Sequence, residues 1–112
     1  FHCPLMKPVA DAMAAALAEI DIKMPVVSVI ANVTAAPVSD PATIRQLLVD
    51  QVTGTVRWRE SVQQMKSLGM SHVFELGAGK VLAGLVKRID KEIESYSVGQ
   101  PADIDAALKV LV

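Results

Sequence analysis

Between His72 and Val98 the chain spells a strand, a glycine turn, a helix and a second strand, and that order leaves few folds open. His72-Val73-Phe74-Glu75-Leu76 is short and rich in residues that favour extended backbone. Gly77-Ala78-Gly79 predicts a tight turn into a helix. Val81, Leu82, Leu85, Val86 and Ile89 are placed on one side of that helix by their spacing. Lys87, Arg88 and Lys91 stand at its end, where the helix dipole favours cations. Ser95-Tyr96-Ser97-Val98 reads as the next strand. Strands that alternate with helices imply an α/β fold with a mostly parallel sheet.

The remaining segments extend the alternation. Met6, Val9, Met13, Leu17 and Ile20 recur at helical spacing, with Asp11 and Glu19 on the polar side and Pro8 tolerable only in the first turn. The run from Pro25 to Val33 is nearly continuous and β-branched, which predicts a strand buried on both faces. Thr34 to Ser39 is predicted as a loop. Asp40-Pro41 pairs a cap residue with a first-turn proline and starts a helix striped by Ile44, Leu47 and Leu48, with Gln51 near its end. Thr53-Gly54-Thr55 breaks the chain. Trp58, Val62 and Met65 mark another helix, stopped at Leu68-Gly69. A final helix over Pro101 to Val112 carries Ile104, Leu108 and Leu111. No repeat, low-complexity run or internal domain boundary is visible.

Length suits one domain or part of one. Apolar residues make up 52% of the 112, yet aromatics only 4%, so aliphatic side chains must build the core. Mean hydropathy is +0.39. A small chain this apolar either packs tightly or leaves a face for a partner. The start at Phe1 rather than Met favours the second reading, a C-terminal piece of something longer. Eleven basic and twelve acidic residues give a net charge of -1, which argues against general nucleic-acid binding. The single Cys3 excludes an internal disulfide, leaves no thiolate cluster for zinc, and reads as a small buried filler in a reducing compartment. The longest uncharged stretch, Met24 to Ser39, holds two prolines and is too short to span a bilayer.

Chemistry narrows to few residues. His2 is either a solvated residue at a chain end or a base presented from a loop, and its place just before a helix favours the base. Cys3 is adjacent to it and so is poorly placed to be its nucleophile. Gly77-Ala78-Gly79-Lys80 fails the phosphate-loop pattern, because Phe74 and Val81 stand where glycine and a hydroxyl residue are required. It fails the dinucleotide pattern at Leu82. No serine sits in Gly-x-Ser-x-Gly, so no nucleophile elbow is present. His72 opens a strand and reads as structural. Arg57-Trp58-Arg59 reads as a solvated helix start around a buried Trp. His2 and His72 with scattered acids show no metal-ligand spacing.

Several stretches taken together resemble the malonyl-CoA:acyl carrier protein transacylases and the related acyltransferase domains of polyketide synthases. They are Phe1 to Pro8, Val29-Ile30-Ala31-Asn32-Val33, Gln51, Val56-Arg57-Trp58, Ser61-Val62, and Phe74 to Leu85. Their order and spacing match from His2 to about Ile89. The resemblance implies that residues 1–112 are the C-terminal segment of a hydrolase-like, three-layer α/β domain. The nucleophile-bearing segment and a ferredoxin-like subdomain would lie in an N-terminal remainder of the same enzyme.

By that resemblance His2 is the general base for a serine nucleophile. The main-chain carbonyl of Gln51 orients its ring, and Asn32 takes a supporting role nearby. Replacing Gln51 should then matter less than replacing His2, since only its backbone acts. The implied reaction moves malonyl from coenzyme A to a phosphopantetheinyl acyl carrier protein, in fatty acid biosynthesis in the cytoplasm. It needs no bound cofactor, metal, nucleic acid or membrane. Phe1 before His2 leans toward malonyl. The segment alone should be silent. Two alternatives stand beside this reading: a fragment of a polyketide synthase acyltransferase domain, and a non-catalytic, standalone α/β interaction domain.

Overall fold

A computed structural model describes residues 2–112; Phe1, which carries the lean toward malonyl, lies outside the described residues. The chain divides into two compact units, Phe1–Ser61 and Val62–Val112. The division falls inside a helix, with no glycine- or proline-rich linker to announce it, which is why the sequence shows no boundary.

In the first unit a short 3-10 turn, Pro4–Met6, leads into α1, Lys7–Ala18. Ala10 is the buried residue of α1, flanked by half-buried Met6 and Leu17, while Val9, Met13 and Ile20 are exposed. The predicted stripe is therefore rotated: α1 packs against α2, Pro41–Asp50, through the small Ala10. Asp40 caps α2, its carboxylate accepting from the Thr43 N–H at 2.8 Å and from the Thr43 hydroxyl. Those bonds hold the Asp40 carboxyl below its usual range. Ile44 is buried, with Leu47 and Leu48 half-buried beside it.

The predicted doubly buried strand over Pro25 to Val33 is not what forms. Only Val29–Ile30 is a strand, β1, paired antiparallel with β2, Pro37–Val38, inside the segment predicted as a loop. Pro37 has no N–H to extend the ladder. Val26 and Val27 are 102% and 75% exposed. A strand buried on both faces needs strands on its edges and layers on its faces, and the first unit supplies one two-residue neighbour.

The second unit follows the prediction in the order of its elements, though not in the faces its helices bury. The helix α3, Trp58–Ser67, leads into it. It closes at Gly69 with paired bonds from Gly69 N to Lys66 O and from Met70 N to Met65 O. β3, His72–Leu76, and β4, Glu94–Val98, pair in parallel with Phe74 opposite Tyr96, and α4, Val81–Ile89, crosses between them. Ala83 and Val86 are the buried residues of α4, whereas Val81 and Leu82 are exposed. Small Ala83 approaches the sheet closely enough for its carbonyl to accept from Ser95 Oγ at 2.8 Å. α5, Pro101–Leu111, rests on β4 with Asp103 and Ala107 half-buried, and its Ile104, Leu108 and Leu111 stripe is exposed. Among the described residues no helix is long and apolar enough to cross a membrane.

Candidate active site: a histidine on the end of a helix

The last carbonyls of any α-helix lack partners within the helix. At the end of α2 the ladder runs out through Gln51 N to Leu47 O and Val52 N to Val49 O, and Gly54 N returns to Asp50 O. That turn requires glycine: a Cβ on Gly54 would meet Val33 Cγ1 at 2.8 Å and Asp50 O at 2.9 Å. The carbonyls of Gln51 and Val52 are both taken by His2. His2 Nδ1 lies 2.6 Å from Gln51 O, and the His2 main-chain N donates to Val52 O at 3.1 Å.

These contacts fix the chemistry of the ring. A carbonyl oxygen only accepts, so Nδ1 carries the hydrogen of the neutral imidazole and Nε2 presents its lone pair. The side chain is exposed. Its φ is +61°, a left-handed conformation that costs a non-glycine residue about 1 kcal/mol. The side-chain and main-chain bonds to one helix end hold it there.

A second tier of bonds surrounds Gln51. Asn32 Nδ2 donates to Gln51 Oε1 at 2.9 Å. Asn32 sits in the turn after β1, which is closed by Ala35 N to Ala31 O at 2.8 Å and ends with Ala35 at φ +53°. Arg57 N donates to Asn32 O at 2.8 Å, and the Arg57 guanidinium donates to Thr34 O at 3.2 Å. Beside the two amides lies a cavity of about 220 Å³ lined by Val29, Ile30, Asn32, Ile44, Leu48 and Gln51. Three residues far apart in sequence, His2, Asn32 and Gln51, are thus brought together. Arg57 joins them through backbone oxygens, which no sequence pattern marks.

The other candidates sit elsewhere. Cys3 is half-buried rather than buried. His72 Nδ1 pairs with Ser71 Oγ at 2.7 Å, and its ring stacks on Tyr96 at 6.2 Å between centroids, as befits a sheet residue. At the glycine turn, with Gly77 and Gly79 at positive φ, the Glu75 carboxylate accepts from Leu82 N at 3.2 Å and Ala83 N at 2.8 Å. A carboxylate already occupies the helix N-terminus that a phosphate would need. Lys66 bridges Asp90 at 2.7 Å and Glu92, which raises the lysine above its ordinary value and lowers Asp90 below its own. A hydrogen bond to Glu94 likewise raises the Tyr96 phenol. Among the described residues no group of His, Cys, Asp and Glu could hold a metal ion.

No protein-family profile matches the chain. The malonyl CoA-acyl carrier protein transacylase of Salmonella typhimurium is 43% identical over 107 residues, which is 96% of this chain and 35% of that protein. Among solved structures, the acyl-carrier-protein-S-malonyltransferase of Bartonella henselae superposes with a TM-score of 0.91 at 50% identity. The match covers 99% of this chain and 35% of that one. A malonyl-transacylase solved in complex with its type II PKS acyl-carrier protein matches 96% of this chain and 35% of its own, at 38% identity and a TM-score of 0.83. The chain therefore spans about a third of the length of the relatives it matches.

Proposed function

This chain is homologous to a segment of the malonyl CoA-acyl carrier protein transacylases, and on that footing we propose that it is the base-bearing portion of such a transferase. The protein carrying it moves a malonyl group from coenzyme A to the phosphopantetheine thiol of an acyl carrier protein, in the cytoplasm and in fatty acid biosynthesis. Residues 1–112 form the C-terminal segment of its α/β domain, and the N-terminal remainder supplies the serine. No bound cofactor is needed.

The observation that supports this reading most is the bond from His2 Nδ1 to the Gln51 carbonyl at 2.6 Å. It presents Nε2 in the tautomer a serine base must have. In the first half-reaction the serine Oγ attacks the thioester carbonyl and its proton passes to Nε2. The thiolate of coenzyme A departs and takes that proton. In the second half the carrier thiol gives its proton to Nε2 and attacks the acyl-serine ester. The serine oxygen leaves and recovers the proton. The Gln51 carbonyl keeps the ring in place in both halves, and its bond strengthens while the ring is charged.

A carrier protein of polyketide synthesis is the second reading, favoured by the likeness to a malonyl-transacylase bound to a type II PKS acyl-carrier protein. The exposed Val26, Val27, Ile104 and Leu108 count against a standalone interaction domain. The test is transfer of radiolabelled malonyl from coenzyme A to purified carrier proteins by the intact protein, with and without His2→Ala. Loss of transfer in the variant is expected. Unchanged transfer would remove His2 from the mechanism.

A further inference from the structure

We infer that Asn32 is a positioning residue for the base, acting on His2 through the side chain of Gln51. This rests on the reading of His2 as the base of a malonyl transferase. It departs from the expectation that Gln51 contributes only its backbone.

The argument is geometric. A carbonyl beyond the last turn of a helix has few restraints, because the residues that follow lack the ladder that fixes the interior. Gln51 is in that position at the end of α2, yet its carbonyl must stay aligned with Nδ1 at 2.6 Å. Its peptide is pinned on one side by Val52 N donating to Val49 O at 3.1 Å, and the side chain supplies a second tether. Its Oε1 accepts from Asn32 Nδ2 at 2.9 Å. Asn32 is itself held, its carbonyl accepting from Arg57 N at 2.8 Å in a turn closed at Ala31 and Ala35. The line of restraint runs from the Arg57 backbone through Asn32 and the Gln51 amide to the Gln51 carbonyl and the imidazole. Misplacing a base by a fraction of an ångström to one ångström lowers the rate by about ten- to a hundredfold.

The experiment compares Asn32→Ala, Gln51→Ala and the double variant in the intact transferase, with His2→Ala as reference. Both single variants keep the Gln51 carbonyl and lose the tether. Each should lower kcat about tenfold with KM nearly unchanged. The double variant should be no worse than either single, since both break one bond. Asn32→Asp should recover most of the rate, because the Gln51 amide can turn over and donate its N–H to the new carboxylate. Nitrogen-15 spectra of the His2 ring should show the Nδ1–H tautomer in the parent and in Asn32→Asp, and a mixture in Asn32→Ala. Additive losses, a failed rescue or an unchanged tautomer in Asn32→Ala would each overturn the inference. Where Asn32→Ala does not fold, Gln51→Met carries the same comparison with side-chain bulk retained. Full activity in His2→Ala would sink the functional reading instead. The tautomer spectra need no turnover and would still decide on the tether.

Discussion

The two units solve the same problem, how to hold a chain end or a loop in place, by opposite means. In Val62–Val112 regular elements do it: a parallel strand pair, a crossing helix, and a carboxylate from β3 closing the N-terminus of α4. In Phe1–Ser61 the strands are two residues long, and the decisive bonds join a chain-end histidine, a helix end and a turn. Regular elements satisfy their backbone by repetition. The first unit adds bonds from particular side chains to its helix end and turn, so single substitutions at those side chains should reach function before stability. The second unit should show the reverse.

The largest effect tests that contrast directly. If the proposed function holds, His2→Ala in the intact protein should lower malonyl transfer by a factor of about 10² to 10⁴ while the urea midpoint shifts little. A large stability loss with modest loss of rate would reverse the contrast. Next is Val86→Ala in α4, a residue 2% exposed. Removing its two methyl carbons from a packed site should cost about 2 kcal/mol of stability, read by urea denaturation, without altering the His2 tautomer.

Glu75→Gln sharpens the comparison at smaller scale. It keeps an acceptor at the α4 N-terminus but removes the charge, so a loss of about 0.5–1 kcal/mol is expected. Loss of malonyl transfer at unchanged stability would show that the second unit also governs chemistry. The smallest effect is the Lys66–Asp90 pair, which joins an exposed lysine to a half-buried carboxylate and is partly screened by salt. Because Asp90 is depressed, its contribution is present above the ordinary carboxylate range and lost as pH falls through its lowered value. Because Lys66 is raised, its contribution is present below the ordinary lysine value and lost as pH rises through its elevated one. The stability difference between the parent and Lys66→Met should therefore be flat from about pH 4 to about pH 10 and vanish outside that window. A difference confined to neutral pH would mean that other groups dominate.

Legibility followed the same divide. The strand, turn and helix from His72 to Ile89 were readable because their signals are local: a β-rich run, glycines at the turn and helical spacing. The start of α2 was readable at Asp40-Pro41 for the same reason. The stretch from Pro25 to Val33 misled, since an apolar β-branched run is also what a segment looks like when its neighbours lie elsewhere. The rotated face of α1 misled because Ala10, a small residue in an alanine-rich helix, decides the closest approach and carries little hydrophobic signal.

What the sequence determined by itself is the α/β alternation, the turns and caps that punctuate it, and the kinship that pointed to His2, Gln51 and Asn32. Only the tertiary structure decided that Asn32 grips the Gln51 side chain and that Arg57 holds Asn32. The physical reason is range. Caps, turns and periodicity arise between residues a few positions apart and leave a pattern in the chain. A hydrogen bond between residues 19 or 49 positions apart depends on where two separate elements come to rest, and no local pattern records it.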